Sequence, residues 1–179
     1  MRVVIHGAGA FGLATGFACA RRGALVHVVD PAGVGAGASG GPVGALAPHV
    51  PENWNEKKAF QFDSLISAGA FWGDVARIGG AGTGYGRLGR LQPLEDDAAI
   101  ARAEARAEDA HDLWQGLAVW EVIRAEDAGP FAPVTPTGWL VRDTLSARID
   151  PPRACAALAA AILRRGGRIS ATLPDGADG

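Results

Sequence analysis

Residues 2–30 read RVVIHGAGAFGLATGFACARRGALVHVVD, and the fold turns on this stretch. Arg2 to His6 is a short apolar run with three β-branched residues in succession, Val3, Val4 and Ile5, which predicts a strand. Residues 13–22 form a small-residue helical segment that stops at Gly23, and Leu25 to Val29 is a second apolar strand closing on Asp30 and Pro31. Strand, glycine turn, helix, strand within thirty residues is the opening of a βαβ unit, whose parallel strands need a right-handed crossover. Such a sheet is expected to be buried on both faces.

Gly7, Gly9 and Gly12 make a GxGxxG turn between the first strand and the helix, and Asp30 ends the second strand eighteen residues after Gly12. The first glycine permits the tight turn, the second lets a pyrophosphate approach the backbone, and the third lets helix and strand pack closely. The helix N-terminus offers unsatisfied N–H groups to phosphates, and Asp30 can accept hydrogen bonds from a ribose hydroxyl. The expected ligand is a dinucleotide with an unphosphorylated ribose. On this reading either Gly9→Val or Gly12→Val removes binding by filling the space the phosphates need. The turn by itself does not choose between FAD and NAD.

Outward from this unit, glycines cluster again at residues 33–44 and 79–89, marking loops or tight turns. Asn53 and Glu56 have capping-box spacing, and apolar residues recur at helical intervals from Phe62 to Ile78, predicting one helix over 54–78. Residues 83–94 suggest a twisted antiparallel strand, 95–115 a helix, and 119–124 and 138–142 two short strands around a turn at Pro130, Pro133 and Pro136. Asp150 before Pro151 and Pro152 starts a helix that ends near Arg165, and residues 168–173 can form one more strand.

At 179 residues, 48% hydrophobic and 20% charged, the chain can bury about 70% of its unfolded surface, which excludes a disordered class. Seventeen basic and nineteen acidic residues leave a formal charge of −2, too balanced for a nucleic-acid footprint. Only Lys57 and Lys58 are lysines, so no polybasic membrane patch is expected. The N-terminal apolar run is interrupted by Gly7, Gly9 and Gly12, unlike a secretory signal, and no run reaches the ~20 residues a bilayer requires. Cys19 and Cys155 stand alone, form no CxxC or zinc motif, and fit a reducing, cytoplasmic setting. Glu104, Glu108, Asp109, His111 and Asp112 read as a solvated helix face, so no metal site is expected, and His6 and Cys19 read as packing residues.

The segment from Gly33 through Ser39, Gly40 and Gly41 to Gly44, Ala45, Leu46 and Ala47 resembles the second cofactor loop of the D-amino-acid oxidase family of FAD-dependent oxidoreductases, which includes glycine oxidase, sarcosine oxidase and D-amino-acid dehydrogenase. Thr83, Gly84 and Tyr85 with Gly89, Arg90 and Leu91 resemble that family's TGY and G-x-L strand. Asp150, Pro151 and Arg153 before an alanine-leucine helix resemble its DPxR segment. The resemblance spans about residues 2–170 and corresponds to the N-terminal portion of a longer family member. In two respects the sequence departs from the family: Asp30 stands where glutamate is usual, and Pro31 and Ala32 follow it where a basic residue is common.

The resemblance implies a Rossmann-like α/β fold, a parallel FAD-binding sheet with helices on both faces plus part of an antiparallel α+β substrate domain. It places FAD-binding segments at residues 1–80 and 151–179 and a partial substrate-binding domain at 81–150. Gly7, Gly9, Ala10, Phe11 and Gly12 would hold the FAD pyrophosphate, Asp30 the adenosine ribose, and Ser39, Gly40, Ala45 and Leu46 would line the path to the flavin. Arg87 and Arg90 are candidates for a substrate carboxylate, and His49 for the substrate side of the flavin; no catalytic residue is assigned. The implied activity is oxidation of the C–N bond of an amino acid or secondary amine by hydride transfer to flavin. The alternatives are an NAD-dependent dehydrogenase and a non-catalytic nucleotide-binding subunit. Expected partners are the small-molecule amine or amino acid and a second chain completing the fold, with no nucleic acid and no membrane.

Overall fold

Strand β1 (Arg2–His6), helix α1 (Ala10–Arg21) and strand β2 (Leu25–Val29) follow one another as the hydrophobic pattern predicts. These elements come from a computed structural model that describes residues 1–173. β1 and β2 are parallel, with Val4 opposite His27, and β2 pairs on its other side with strand β8 (Arg168–Ser170), also parallel. The sheet order is β1-β2-β8. Helix α4 (Pro151–Arg164) begins where Asp150 accepts a hydrogen bond from the Arg153 amide at 3.1 Å, with proline in its first turn. Its inward face is largely alanine, which lets α4 lie close against α1. Helix α2 (Glu56–Gly79) supplies Val75, Phe71, Trp72 and Ile78 to the same core.

That core, with Met1–Gly44, Ala70–Tyr85 and Ile149–Gly179, is one of two compact units. Ile5, Val26 and Ile162 surround Gly16, so α1 and α4 share the sheet face that Ile5 and Val26 occupy. Alternation sends Arg2, Val4, His6, Leu25 and His27 to the opposite face, where Val4 is 45% and Leu25 59% exposed. The Leu25 amide donates to the Met1 carbonyl and the Gly7 amide to the Val29 carbonyl. The backbone groups of Arg2, Val4 and His6 therefore point away from β2, along an edge that no strand among the described residues pairs.

The second unit holds Ala45–Gly69 and Gly86–Arg148. Strands β4 (Arg90–Pro93), β5 (Trp120–Arg124) and β6 (Trp139–Asp143) form an antiparallel sheet in the order β4-β6-β5. Helix α3 (Asp97–Leu113) packs on it, capped by the Asp96 carboxylate accepting from the Ala99 amide at 2.7 Å. Trp114 and Trp120 meet edge to face at 6.1 Å, and the Trp120 indole donates to the Ala103 carbonyl. Strands β3 (Gly44–Leu46) and β7 (Ala147–Ile149) pair with each other.

Several boundaries differ from the sequence pattern. Residues 45–69 lie in the second unit rather than in a continuous 1–80 segment, because Phe62 and Leu65 are buried with Leu94, Trp114 and Leu145. The strand expected over 83–94 is reduced to a Gly86–Arg148 bridge and β4, since Gly84 and Gly89 take positive φ. Asn53 does not cap α2, because its own backbone is left-handed at φ +46°; Asn55 accepts from the Lys58 amide instead. β8 ends at Ser170, short of the expected 173.

Candidate functional site: the glycine turn and its second loop

Gly7 leaves β1 with φ +105°, a conformation that favours glycine, while its amide donates to Val29 at 2.8 Å. A β-carbon on Gly12 would lie under 3.0 Å from the Gly7 carbonyl oxygen, so helix and turn touch backbone to backbone. Gly9 is different: its open side meets only the Ser39 hydroxyl, 3.2 Å from where a β-carbon would stand. Gly12 thus serves the packing expected of the third glycine of the motif, and Gly9 faces space that a phosphate can enter. A side chain at Gly12 would therefore strike the turn itself rather than fill the phosphate space, as the sequence reading had it for Gly12→Val.

Gly9 is the N-cap of α1 and has no side chain to cap it. Ser39, twenty-nine residues away, fills the role, its Oγ accepting from the Ala10 amide at 2.9 Å. The amides of Phe11 and Gly12, the next in the first turn, have no partner among the described residues. A first-turn amide held by one hydroxyl, with two more free beside it, is a suitable receiver for an anionic oxygen. Phe11 is 93% exposed beside them.

The carboxylate of Asp30 closes the turn from the other side. Its Oδ2 accepts from the Ala8 amide at 2.8 Å and its Oδ1 from the Ala32 amide at 2.9 Å. The Ala8 amide, followed by that of Ala32, holds the Asp30 carboxyl below its ordinary pKa. Each oxygen keeps a lone pair for a ribose hydroxyl. Ala8 was not singled out by sequence, yet it ties both loops together, because its carbonyl also accepts from the Gly35 amide at 2.9 Å. Beneath the second loop lies the buried thiol of Cys155, raised in pKa by burial and 4.0 Å from the Ser39 carbonyl. Gly40 backs onto Gly35, whose carbonyl oxygen would be 2.6 Å from a β-carbon there.

The sign of the Asp30 shift sets a pH prediction. A carboxyl whose folded pKa is depressed contributes stability above its unfolded pKa and loses it as pH falls through the folded value. Asp30→Asn is therefore expected to be less stable than the parent near neutrality, with the gap closing below the ordinary carboxylate range. Urea midpoints of both proteins from pH 7 down to about pH 3 check this; a gap independent of pH would contradict it.

The remaining residues singled out by sequence lie in the second unit. Leu46 packs into that unit's core while its neighbour Ala45 is exposed, so β3 presents only one of the pair to solvent. His49 is exposed and its amide donates to Gln61 Oε1. Arg87 has other work: its Nε and Nη2 donate to the carbonyls of Thr144 and Leu117, both at 2.7 Å, clamping two turns. Arg90 pairs through Nε with the fully buried Asp143 at 3.2 Å. Long-range carbonyl and carboxylate partners of this kind leave no local signal in sequence.

No helix among the described residues is long and apolar enough to cross a membrane. No protein with a curated description matches the chain. Solved structures match the fold over 94% of the chain. They include glycine oxidase from Geobacillus kaustophilus (19% identity, TM-score 0.70, 46% of that chain). Iminodiacetate oxidase from Chelativorans sp. BNC1 is similar at 21% identity, TM-score 0.73 and 46% of its chain. L-amino acid deaminase from Proteus myxofaciens matches at 23% identity and TM-score 0.74, over 37% of its chain. The chain therefore spans less than half the length of these structures. A family model described as FAD dependent oxidoreductase matches residues 2–171, and by that match the chain belongs to the FAD-dependent oxidoreductase family.

Proposed function

We propose that this chain carries the FAD pyrophosphate and adenosine-ribose contacts of an enzyme that oxidises the C–N bond of an amino acid or secondary amine. The observation that carries the reading is the anion-ready first turn of α1, with Ser39 on the Ala10 amide and Asp30 on the Ala8 amide. Gly9, Ala10 and Phe11 offer backbone to the phosphates, Gly7 and Gly12 set the turn, and Asp30 accepts from the ribose. Ser39 turns from the Ala10 amide to donate to a phosphate oxygen, Gly40 holds its loop, and Ala45 and Leu46 continue toward the flavin end. FAD, when bound, supplies the two-electron acceptor for the substrate's hydride. The family match supports FAD over NAD, and the similarity to glycine oxidase and iminodiacetate oxidase supports an amino-acid or amine substrate. The His49 ring has no partner among the described residues, whereas Arg87 and Arg90 hold the second unit together. The free thiols of Cys19 and Cys155 fit a cytoplasmic setting.

A second reading has its own support. A parallel sheet with Val4 and Leu25 exposed on one face, and a β1 edge unpaired among the described residues, calls for cover, which a partner chain completing the fold would provide. Purified protein titrated with FAD is the test. An absorption band near ~450 nm that stays with the protein supports the main reading. FAD bound only when a complementing chain is co-expressed supports the second. Stabilisation by NAD and none by FAD would overturn both.

A further inference from the structure

The formal charge of −2 conceals a division between the two units. The first holds eight arginines and five aspartates; the second holds nine basic and fourteen acidic residues. In the first unit the C-terminal ends of α1, α2 and α4 bring together Arg21, Arg22, Arg77, Arg164 and Arg165. Cations at helix C-termini offset the helix dipoles, which accounts for one or two of them at each end. Their shared acid is Asp74, which pairs with Arg77 at 2.9 Å and Arg21 at 3.3 Å. Arg77 first, then Arg21 and Arg165, hold its carboxyl below the usual range. Among the described residues no other carboxylate pairs with these arginines. A cavity of about 460 Å³ opens among Ala18, Arg21, Arg22 and Phe71.

The second unit carries the complement. On α3, Glu104, Glu108 and Asp112 recur at four-residue steps, Asp97 lies two turns before them, and all four share one exposed stripe. Like charges at that spacing destabilise a helix, and no ion pair relieves them among the described residues. Arg106, on the same helix, is turned away to a two-pronged pair with Glu52.

We propose that the arginine surface of the first unit docks the acidic stripe of α3 from a second copy of this chain. The two surfaces differ, so the contact is head-to-tail, and association continues beyond a dimer unless a ring closes. Exposed pairs of this type are individually weak and screened by salt, so the interaction is expected at low ionic strength and high protein concentration.

Sedimentation equilibrium of the full chain tests this at about 0.01 M and about 1 M salt, where the screening length falls from about 30 Å to about 3 Å. The expected result is concentration-dependent mass growth at low salt that weakens at least tenfold at high salt. Arg22→Glu/Arg165→Glu and, separately, Glu104→Arg/Glu108→Arg should each be monomeric, with circular dichroism unchanged. An equimolar mixture of the two variants should associate again, since each then carries the complement of the other. A wild-type chain that is monomeric at low salt overturns the proposal, even if it binds polyglutamate or RNA. So does association that survives either reversal, or folded variants that the mixture fails to restore.

Discussion

Replacing Gly12 with alanine is expected to cost the first unit about 3 kcal/mol or more, a large share of the 5–15 kcal/mol typical of a domain. The added methyl would meet the Gly7 carbonyl oxygen, a backbone atom held by a turn that itself bonds to Val29. Neither partner can yield without separating α1 from β1. Gly9→Val is expected to behave otherwise. Its neighbour is the end of the Ser39 side chain, which can rotate away, so the protein should fold and lose only the Ser39 cap on the Ala10 amide, about 1 kcal/mol. What Gly9→Val fills is the approach to the first-turn amides, and FAD affinity should fall by about a hundredfold or more, roughly 2.8 kcal/mol at 1.4 kcal/mol per decade. Urea unfolding followed by circular dichroism, beside FAD titration of the same preparations, separates the two effects. Equal stability of Gly12→Ala and the parent would remove the packing role; undiminished FAD binding by Gly9→Val would remove the site.

How much of this was legible in sequence follows from the range of the interactions. The β1-turn-α1-β2 unit was readable because strand, glycine turn, helix and Asp30 are all encoded within thirty residues. The start of α4 was readable for the same reason, Asp150 and the prolines acting within one helical turn. β3 and β7 were not, since three-residue strands carry no period and owe their existence to a partner a hundred residues away. Asn53 and Asn55 are equivalent in composition, and only the backbone decides which caps. The Ser39 hydroxyl was anticipated as part of a cofactor loop, but its bond to Ala10 depends on Gly35, Gly40 and the Ala8 carbonyl drawing that loop back to the turn. Net charge is likewise silent on distribution: a near-neutral sum over the chain averages a basic unit with an acidic one.

Arg90 shows what the local pattern misses most, and Asp143→Ala is expected to expose it. Asp143 is fully buried and receives four donors: Arg90 Nε at 3.2 Å, the amides of Leu145 at 3.1 Å and Ser146 at 2.7 Å, and the Ser146 hydroxyl at 2.9 Å. Removing the carboxylate strands the Leu145 and Ser146 groups in a turn next to a buried leucine, and leaves the guanidinium without its counter-ion. Breaking a buried, hydrogen-bonded charge pair costs about 3–5 kcal/mol. The lower end applies here, because Arg90 is 36% exposed and can turn to water. Arg90→Met should cost less than Asp143→Ala, since three donors still satisfy the carboxylate, but it should still lower the denaturation midpoint. Amide exchange at Leu145 and Ser146 reports the same event locally and should quicken strongly in Asp143→Ala. An arginine reserved for a substrate carboxylate behaves in the opposite way, raising KM on removal while stability stays constant. Arg90→Met with an unchanged midpoint would therefore return Arg90 to the substrate side and detach it from the β4-β6 pairing assigned to it here.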